Sequence, residues 1–246
     1  MLWRDLLAAV VLIAYYLIIC AVVPILFKLL LRVPDELVRK TQHMAYTMSV
    51  FLMLHLFSSW YAAMLAGALL VVLAYPVLML LERTRWYGRM LVDRRPEGGE
   101  LRMQLLYVQA SFALLIFVFW GVLGTDWRYL AAASVMAWGY GDAAAALVGT
   151  AFGRTRVTHR LVEGAKTLEG TSAMIVAAAI ALFVTLTWYG SVPWYLSLVV
   201  ALLVAPVCGV VELFSRRGVD TLTVPFAAAA IMLPMMYVFG LLRWLQ

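Results

Sequence analysis

The sequence is poor in charged residues, which make up only 13% of its 246 positions, whereas hydrophobic residues make up 65%. An ordinary soluble domain has about a quarter of its residues charged and just under half apolar. The mean hydropathy is +0.95. These values exclude a soluble globular protein, a disordered protein and a nucleic-acid-binding domain. They indicate a polytopic helical membrane protein, in which each spanning helix uses about 20 apolar residues.

Cysteines and soluble phosphate-binding motifs are also scarce. The two cysteines, Cys20 and Cys208, each lie in an apolar run, so the chain has neither a disulfide framework nor a zinc cluster. The sequence contains no G-x-x-x-x-G-K-[ST] loop and no G-x-G-x-x-G motif after a strand. Any nucleotide site must therefore be of a membrane-enzyme type.

The apolar runs predict an all-α, polytopic transmembrane helical bundle of about eight spans, which forms a single integral membrane domain over residues 1–246. The predicted spans are 5–30, 42–58, 60–81, 103–123, 128–150, 168–189, 193–213 and 222–244. The first apolar run, residues 6–31, is too long for the core of a signal peptide. We therefore expect it to be retained as the first span.

Lys and Arg residues are distributed unevenly between the two sides of this predicted bundle. If the spans alternate in direction, all basic residues except Arg4, Arg128 and Arg243 fall on one side, in segments 28–40, 83–102, 154–166 and 216–217. Basic loops tend to stay on the cytoplasmic side of a membrane. We therefore expect both termini outside and these four segments facing the cytoplasm.

Ionisable residues in or beside the spans gather at the same predicted boundary. They are His43, Asp142, Lys166, Glu169, Glu212 and Asp220. Charged groups within spans are costly and often mark functional sites. The pattern predicts a site that opens to the cytoplasm and also meets lipid.

The surroundings of Asp142 allow two interpretations. Ala145, Gly149 and Gly153 are spaced four residues apart on one helical face, which is typical of close helix packing in lipid. A lone carboxylate in an otherwise apolar helix, however, needs a cation, a proton or a lysine. The segment predicts a packing face, and Asp142 predicts a function in addition to it.

Lys166 and Glu169 also allow two interpretations. They are three residues apart at a predicted helix start, where they could form an interfacial salt bridge beside a helix cap. The same helix start could instead bind phosphate, because its N–H groups carry partial positive charge. Carboxylates beside a basic surface suit Mg²⁺, which uses one or two carboxylates together with substrate phosphates.

Four motifs lie between residues 38 and 225. They are Arg39-Lys40-Thr41-Gln42-His43; Gly141-Asp142 with Gly149 and Phe152-Gly153-Arg154; Lys166-Thr167-Leu168-Glu169-Gly170; and Glu212 followed by Asp220-Thr221 and Val224-Pro225. Together they resemble the phytol kinase/dolichol kinase family of CTP-dependent polyprenol and lipid-alcohol kinases. Asp220-Thr221 stands where that family has Asp-Asn. The second and third motifs also resemble the CDP-diacylglycerol synthases, but the longer C-terminal signature of those enzymes is missing, which favours the kinases.

The resemblance implies a membrane kinase that moves a phosphoryl group from CTP, or another nucleoside triphosphate, to a lipid alcohol such as phytol, a polyprenol, dolichol or diacylglycerol. It implies Mg²⁺ or another divalent cation. The implied catalytic residues are Asp142, Lys166 and Glu212. The implied substrate- and nucleotide-binding residues are Arg39, Lys40, His43, Gly149, Gly153, Arg154, Thr167 and Gly170. The implied metal ligands are Asp142, Glu169 and Asp220.

Two other functions remain open at this point. The first is a CDP-lipid synthase, a cytidylyltransferase that acts on a lipid phosphate. The second is a transporter or another non-enzymatic membrane protein, although transporters usually place polar groups near mid-membrane in related repeats. We expect no nucleic-acid partner, and the sequence does not specify an oligomeric state.

Overall fold

Eight long helices match the eight predicted spans in the computed structural model, which describes residues 2–85, 87–93, 98–160, 162, 166–215 and 218–244. They are α1 (Leu2–Leu30), α2 (Asp35–Leu56), α3 (Trp60–Glu82), α4 (Glu100–Val122), α5 (Arg128–Phe152), α6 (Leu168–Tyr189), α7 (Trp194–Phe214) and α8 (Asp220–Trp244). Within these described ranges there is no β-strand. The predicted all-α class is confirmed.

The start of α2 differs most from its predicted range. The helix begins at Asp35, directly after Pro34, rather than at residue 42. Pro34 has an extended backbone that suits the position before a helix, and Asp35 and Glu36 place negative charge on the first turn, where the helix dipole favours it. The prediction followed the apolar run and so missed this charged first turn.

Six of the eight helices are long and apolar enough to cross a membrane, namely α1, α3, α4, α6, α7 and α8. The other two, α2 and α5, carry more polar residues. Each nevertheless has an extensive buried part: eleven residues of α2 are buried, and so is every residue of α5 from Leu130 to Trp138. A helix that is shielded by other helices does not need an apolar outer surface. The chain is an integral membrane protein, and the side on which its termini lie stays a prediction.

The chain forms two compact units, Met1–Val122 and Leu123–Gln246. In the N-terminal unit, α3 packs against α4, and α1 packs against both α2 and α3. In the C-terminal unit, α5 packs against α6, α6 against α7, α7 against α8, and α8 back against α5. The C-terminal unit is therefore a closed four-helix bundle. Four residues used in the orientation prediction, Arg94, Arg95, Arg216 and Arg217, lie outside the described residues.

Candidate active site

Three acidic residues converge at one end of the C-terminal unit. Asp142 lies in the second half of α5, Glu212 lies in the last turn of α7, and Asp220 begins α8. Because α7 ends where α8 begins, the chain reversal brings the last two residues to the same end of the bundle. Asp142 and Asp220 both act electrostatically on the Glu212 carboxylate. The three acids are therefore neighbours contributed by three helices, and their role as a functional site stays a prediction.

Lys166 is the positively charged partner of this cluster. Its Nζ lies 3.0 Å from Glu212 Oε1. The same ammonium group donates to the Glu212 carbonyl and, at 3.1 Å, to the Ser215 carbonyl. The Glu212 carbonyl also accepts from the Ser215 N–H, and Ser215 directly follows the last residue of α7. Lys166 therefore both neutralises a buried carboxylate and caps the end of α7.

Asp220 is held by an indole from the core of α5. Trp138 Nε1 donates to Asp220 Oδ2 at 3.1 Å, and Trp138 is completely buried. Trp138 lies four residues before Asp142, so the two side chains share one face of the helix. The sequence-based prediction missed Trp138. The i, i+4 spacing to Asp142 is the signal that could have found it.

The Glu169 carboxylate contacts the backbone of the loop that precedes α6, and it does not pair with the Lys166 side chain. Both of its carboxylate oxygens accept from the Thr155 N–H, at 3.1 and 3.2 Å. The loop is closed by an antiparallel bridge between Arg156 and Thr167. Lys166 precedes the helix, so the i, i+3 pairing with Glu169 that a helix would allow does not form. The ion pair considered for Lys166 is made with Glu212 instead.

Thr167 is the N-cap of α6, as the alternative interpretation of this segment predicted. Its Oγ1 accepts from the Gly170 N–H at 3.1 Å, and its backbone is extended. This geometry satisfies one of the N–H groups that open a helix. A phosphate contact at this helix start stays a prediction.

The predicted glycines lie at a close crossing of α5 and α6. A Cβ on Gly170 would lie 2.8 Å from the Ala145 carbonyl, and a Cβ on Gly149 would lie 3.2 Å from Thr167 Oγ1. Gly153 directly follows α5, and a Cβ there would lie 2.7 Å from Thr167 Cγ2. The small-residue stripe is thus a packing face. Substrate contacts by these glycines stay predictions, and Arg154, which follows them, is exposed.

The Arg-Lys-x-x-His motif lies on α2 in the N-terminal unit, and its three side chains are all buried. Arg39 makes a bidentate ion pair with Glu36, with distances of 2.5 and 3.0 Å, and its Nη1 lies 4.0 Å from Glu100 Oε1. Lys40 is only 1% exposed. Burying such cations is costly without compensation. This cost makes the motif a candidate for function as well as for stability.

His43, the last residue of that motif, is 3% exposed. Its Nδ1 lies 3.2 Å from Gln104 Nε2 on α4. Gln104 and Glu100 lie four residues apart, on one face of α4, and so approach the motif together. Sequence reasoning missed both residues because neither belongs to a motif.

Comparison with known proteins identifies the family. The chain is 31% identical to a phytol kinase from Synechocystis sp. over 204 residues, which cover 80% of this chain and 78% of that protein. The chain belongs to the phytol kinase family. No family model matches the sequence, and no solved structure matches it.

The acidic site of this phytol kinase family member has donors that suit Mg²⁺ together with phosphate. In the described part of the chain, no three His, Cys, Asp or Glu side chains are arranged to hold a metal ion by themselves. Mg²⁺ does not require such a cage, because it binds through one or two carboxylates and completes its shell with substrate phosphates and water. Asp142 and Asp220 can supply those carboxylates, and the metal role of Glu169, whose carboxylate accepts from the Thr155 N–H, stays a prediction.

Proposed function

We propose that this member of the phytol kinase family is a membrane-embedded kinase that transfers a phosphoryl group from CTP to the hydroxyl of a lipid alcohol. The observation that carries the proposal is the Asp142, Glu212 and Asp220 cluster with its partner Lys166. Phosphoryl transfer depends mainly on positioning and on neutralising the charge of the transferred group. Carboxylates for a metal and a nearby ammonium group supply both requirements.

The roles of the residues follow from their surroundings. Asp142 and Asp220 would hold Mg²⁺, and Trp138 fixes one oxygen of Asp220 through its indole N–H. When bound, the metal would neutralise the phosphate oxygens and orient them. Lys166 already lies 3.0 Å from Glu212, and its flexible stem lets it shift toward a phosphate oxygen.

The attacking hydroxyl must lose a proton as its oxygen bonds to phosphorus. Asp142 and Glu212 are the two candidate acceptors of that proton. Glu212 is the more enclosed of the two and is tied to Lys166. Asp142 is partly exposed. The basic loop with Arg154 would bind the phosphate tail of the nucleotide from the same end of the bundle.

The proposal is tested with the purified full-length protein, Mg²⁺, and CTP or ATP labelled at the γ-phosphate or the α-phosphate. Phytol, farnesol, dolichol and diacylglycerol serve as acceptors. We expect γ-label in a lipid phosphate, CDP as the second product, and stronger transfer from CTP than from ATP. Incorporation of α-label into lipid with release of pyrophosphate would instead identify a cytidylyltransferase. No labelled lipid, beside an active control kinase, would refute both activities.

A further inference from the structure

An elongated apolar cavity lies within the N-terminal unit. Its volume is about 400 Å³, within the size range of ligand sites in proteins. The walls come from α1, α2, α3, the start of α4 and the short segment around Tyr87 and Leu91. Its wall contains Gln42 from the middle of the Arg-Lys-x-x-His motif, but none of the residues to which a role in phosphoryl transfer is assigned. It is therefore a separate feature that needs its own explanation.

The cavity is shaped for a chain rather than for a compact ring. Its lining on α1 extends from Ile13 to Ile25, which is about 18 Å along a helix axis. Its lining on α3 extends over a similar length, from Leu70 to Leu81. A cavity of about 150 Å³ accepts benzene, so by simple scaling this one holds roughly sixteen carbon atoms.

The polar residues in the cavity wall are hydrogen-bonded to protein. Gln42 Nε2 donates to the Cys20 carbonyl at 2.8 Å and to the Tyr46 hydroxyl at 2.9 Å. That carbonyl lies in a π-helical turn of α1, Tyr16–Val22, where the regular helical hydrogen-bond pattern is broken. The wall therefore offers a hydrocarbon surface along its length.

Tyr16 completes this wall with a directed chain of hydrogen bonds. Gln109 Nε2 donates to the Tyr16 hydroxyl at 2.7 Å, and the Tyr16 hydroxyl lies 2.8 Å from Ser49 Oγ. Ser49 Oγ donates to the Tyr46 carbonyl at 2.6 Å, so the Tyr16 hydroxyl is the donor in its contact with Ser49. The hydroxyl that a polar ligand could have used is thus already engaged.

At one end, the apolar cavity adjoins a polar cavity. A second cavity of about 350 Å³ also has Tyr87 and Leu91 in its wall, and its other lining includes Lys28, Asp35 and Glu82. Tyr87 donates to Asp93 Oδ2 at 2.7 Å. Burial, together with this carboxylate, raises the pKa of the Tyr87 phenol, so it stays protonated as the donor. The paired cavities form an amphipathic site with an apolar length and a polar end.

We propose that the apolar cavity binds the hydrocarbon chain of the lipid alcohol. This inference rests on the proposed function and adds to it the site that selects the chain. Ala74 on α3 and Ala21 on α1 line the cavity, and both side chains are small. A larger side chain at either position would occupy the space that the chain fills.

The test uses a phytol analogue with a photoreactive diazirine at the far end of its chain, added to the full-length protein in lipid nanodiscs. After illumination, mass spectrometry of peptides locates the adducts. We expect adducts on α1 and α3 residues of the cavity, and we expect excess phytol to compete them away. Ala74→Phe should reduce these adducts at least tenfold, whereas Ala68→Phe, at an exposed position of α3 outside the cavity, should leave them unchanged.

Turnover gives an independent measurement. Ala74→Phe should lower kcat/KM for phytol about tenfold or more, because even one methylene in an apolar pocket changes selectivity by that amount. The shorter alcohol geraniol should be affected less. Leu70→Ala should shift the preference in the opposite direction, toward longer chains. If Ala74→Phe does not fold, Ala21→Leu provides the same test from α1.

The outcomes separate this inference from the proposed function. Cavity adducts that Ala74→Phe removes, in a protein that transfers no phosphate, would support the chain site and refute the kinase. Phosphate transfer with no cavity adducts, or with equal effects of Ala74→Phe and Ala68→Phe, would support the kinase and overturn the chain site.

Discussion

Lys166 and Glu212 form an ion pair in the C-terminal unit, and we expect the loss of Lys166 to destabilise the protein more than the loss of Glu212. The two charges lie 3.0 Å apart, with the Glu212 side chain 11% exposed and the Lys166 side chain 22% exposed. Lys166→Met leaves the Glu212 carboxylate buried, without its cation, and near two other acids. Removing one partner of a buried pair typically costs about 3–5 kcal/mol of the free energy of unfolding. We expect a loss in that range.

The reverse change should be milder. After Glu212→Gln, Lys166 still has two backbone carbonyl acceptors at the end of α7. The change also removes one of three neighbouring negative charges. We expect a loss of about 1–2 kcal/mol, the size of a charged hydrogen bond. The double variant lacks both charges, so no buried charge remains without its partner. We therefore expect a coupling energy between the two residues of about 2 kcal/mol or more.

The assay is reversible unfolding in mixed detergent micelles, followed by tryptophan fluorescence, on the wild type, both single variants and the double variant. Arg156→Met, at an exposed position of the same loop, is the control and should change stability little. The reasoning is wrong if Glu212→Gln destabilises the protein more than Lys166→Met. A coupling energy within about 0.5 kcal/mol of zero would also refute it.

Three further predictions concern helix packing and the acidic site. Gly170→Ala should lower the free energy of unfolding by about 1–3 kcal/mol, because the new Cβ meets the Ala145 carbonyl at 2.8 Å. Gly240→Ala, with open space around its Cβ, should have no such cost in the same unfolding assay. Trp138→Phe removes the donor to Asp220 and should raise the Mg²⁺ concentration needed for half-maximal phosphate transfer several-fold; an unchanged Mg²⁺ titration would contradict this role. Glu169→Gln should mainly loosen the loop at Thr155, which faster hydrogen exchange of the Thr155 amide would show. If Glu169→Gln instead changed the Mg²⁺ requirement more than Trp138→Phe does, Glu169 would be assigned to the metal.

The sequence predicted the helices well because apolar runs of spanning length have few alternatives in a membrane. It also predicted a helix cap in the segment that contains Lys166 and Glu169, and a packing face at Ala145, Gly149 and Gly153, since both follow from local patterns. The start of α2 at Asp35 was missed because a charged first turn does not look apolar.

The partners within the site could not be predicted in the same way. Lys166 pairs with Glu212, which is distant along the chain, although its neighbour Glu169 is the partner that local spacing suggests. Glu169 contacts the Thr155 backbone because the loop folds back on the helix start. Trp138 and Gln104 belong to no motif. The i, i+4 spacing places Trp138 on the same face as Asp142, but its contact with Asp220, like that of Gln104 with His43, depends on the packing of the helices. Such contacts depend on tertiary structure.

The measurement that tests the central claim most directly is the transfer of labelled γ-phosphate from CTP to phytol by wild-type protein, Asp142→Asn and Asp126→Asn. Asp142→Asn removes one charge with almost no change in shape. Asp126, an exposed residue just before the other end of α5, is the matched control. We predict transfer by the wild type and by Asp126→Asn, with a loss of about a hundredfold or more in Asp142→Asn, as expected for a group that stabilises the transition state. Full activity in a correctly folded Asp142→Asn protein would contradict the assignment of phosphoryl transfer to this acidic site.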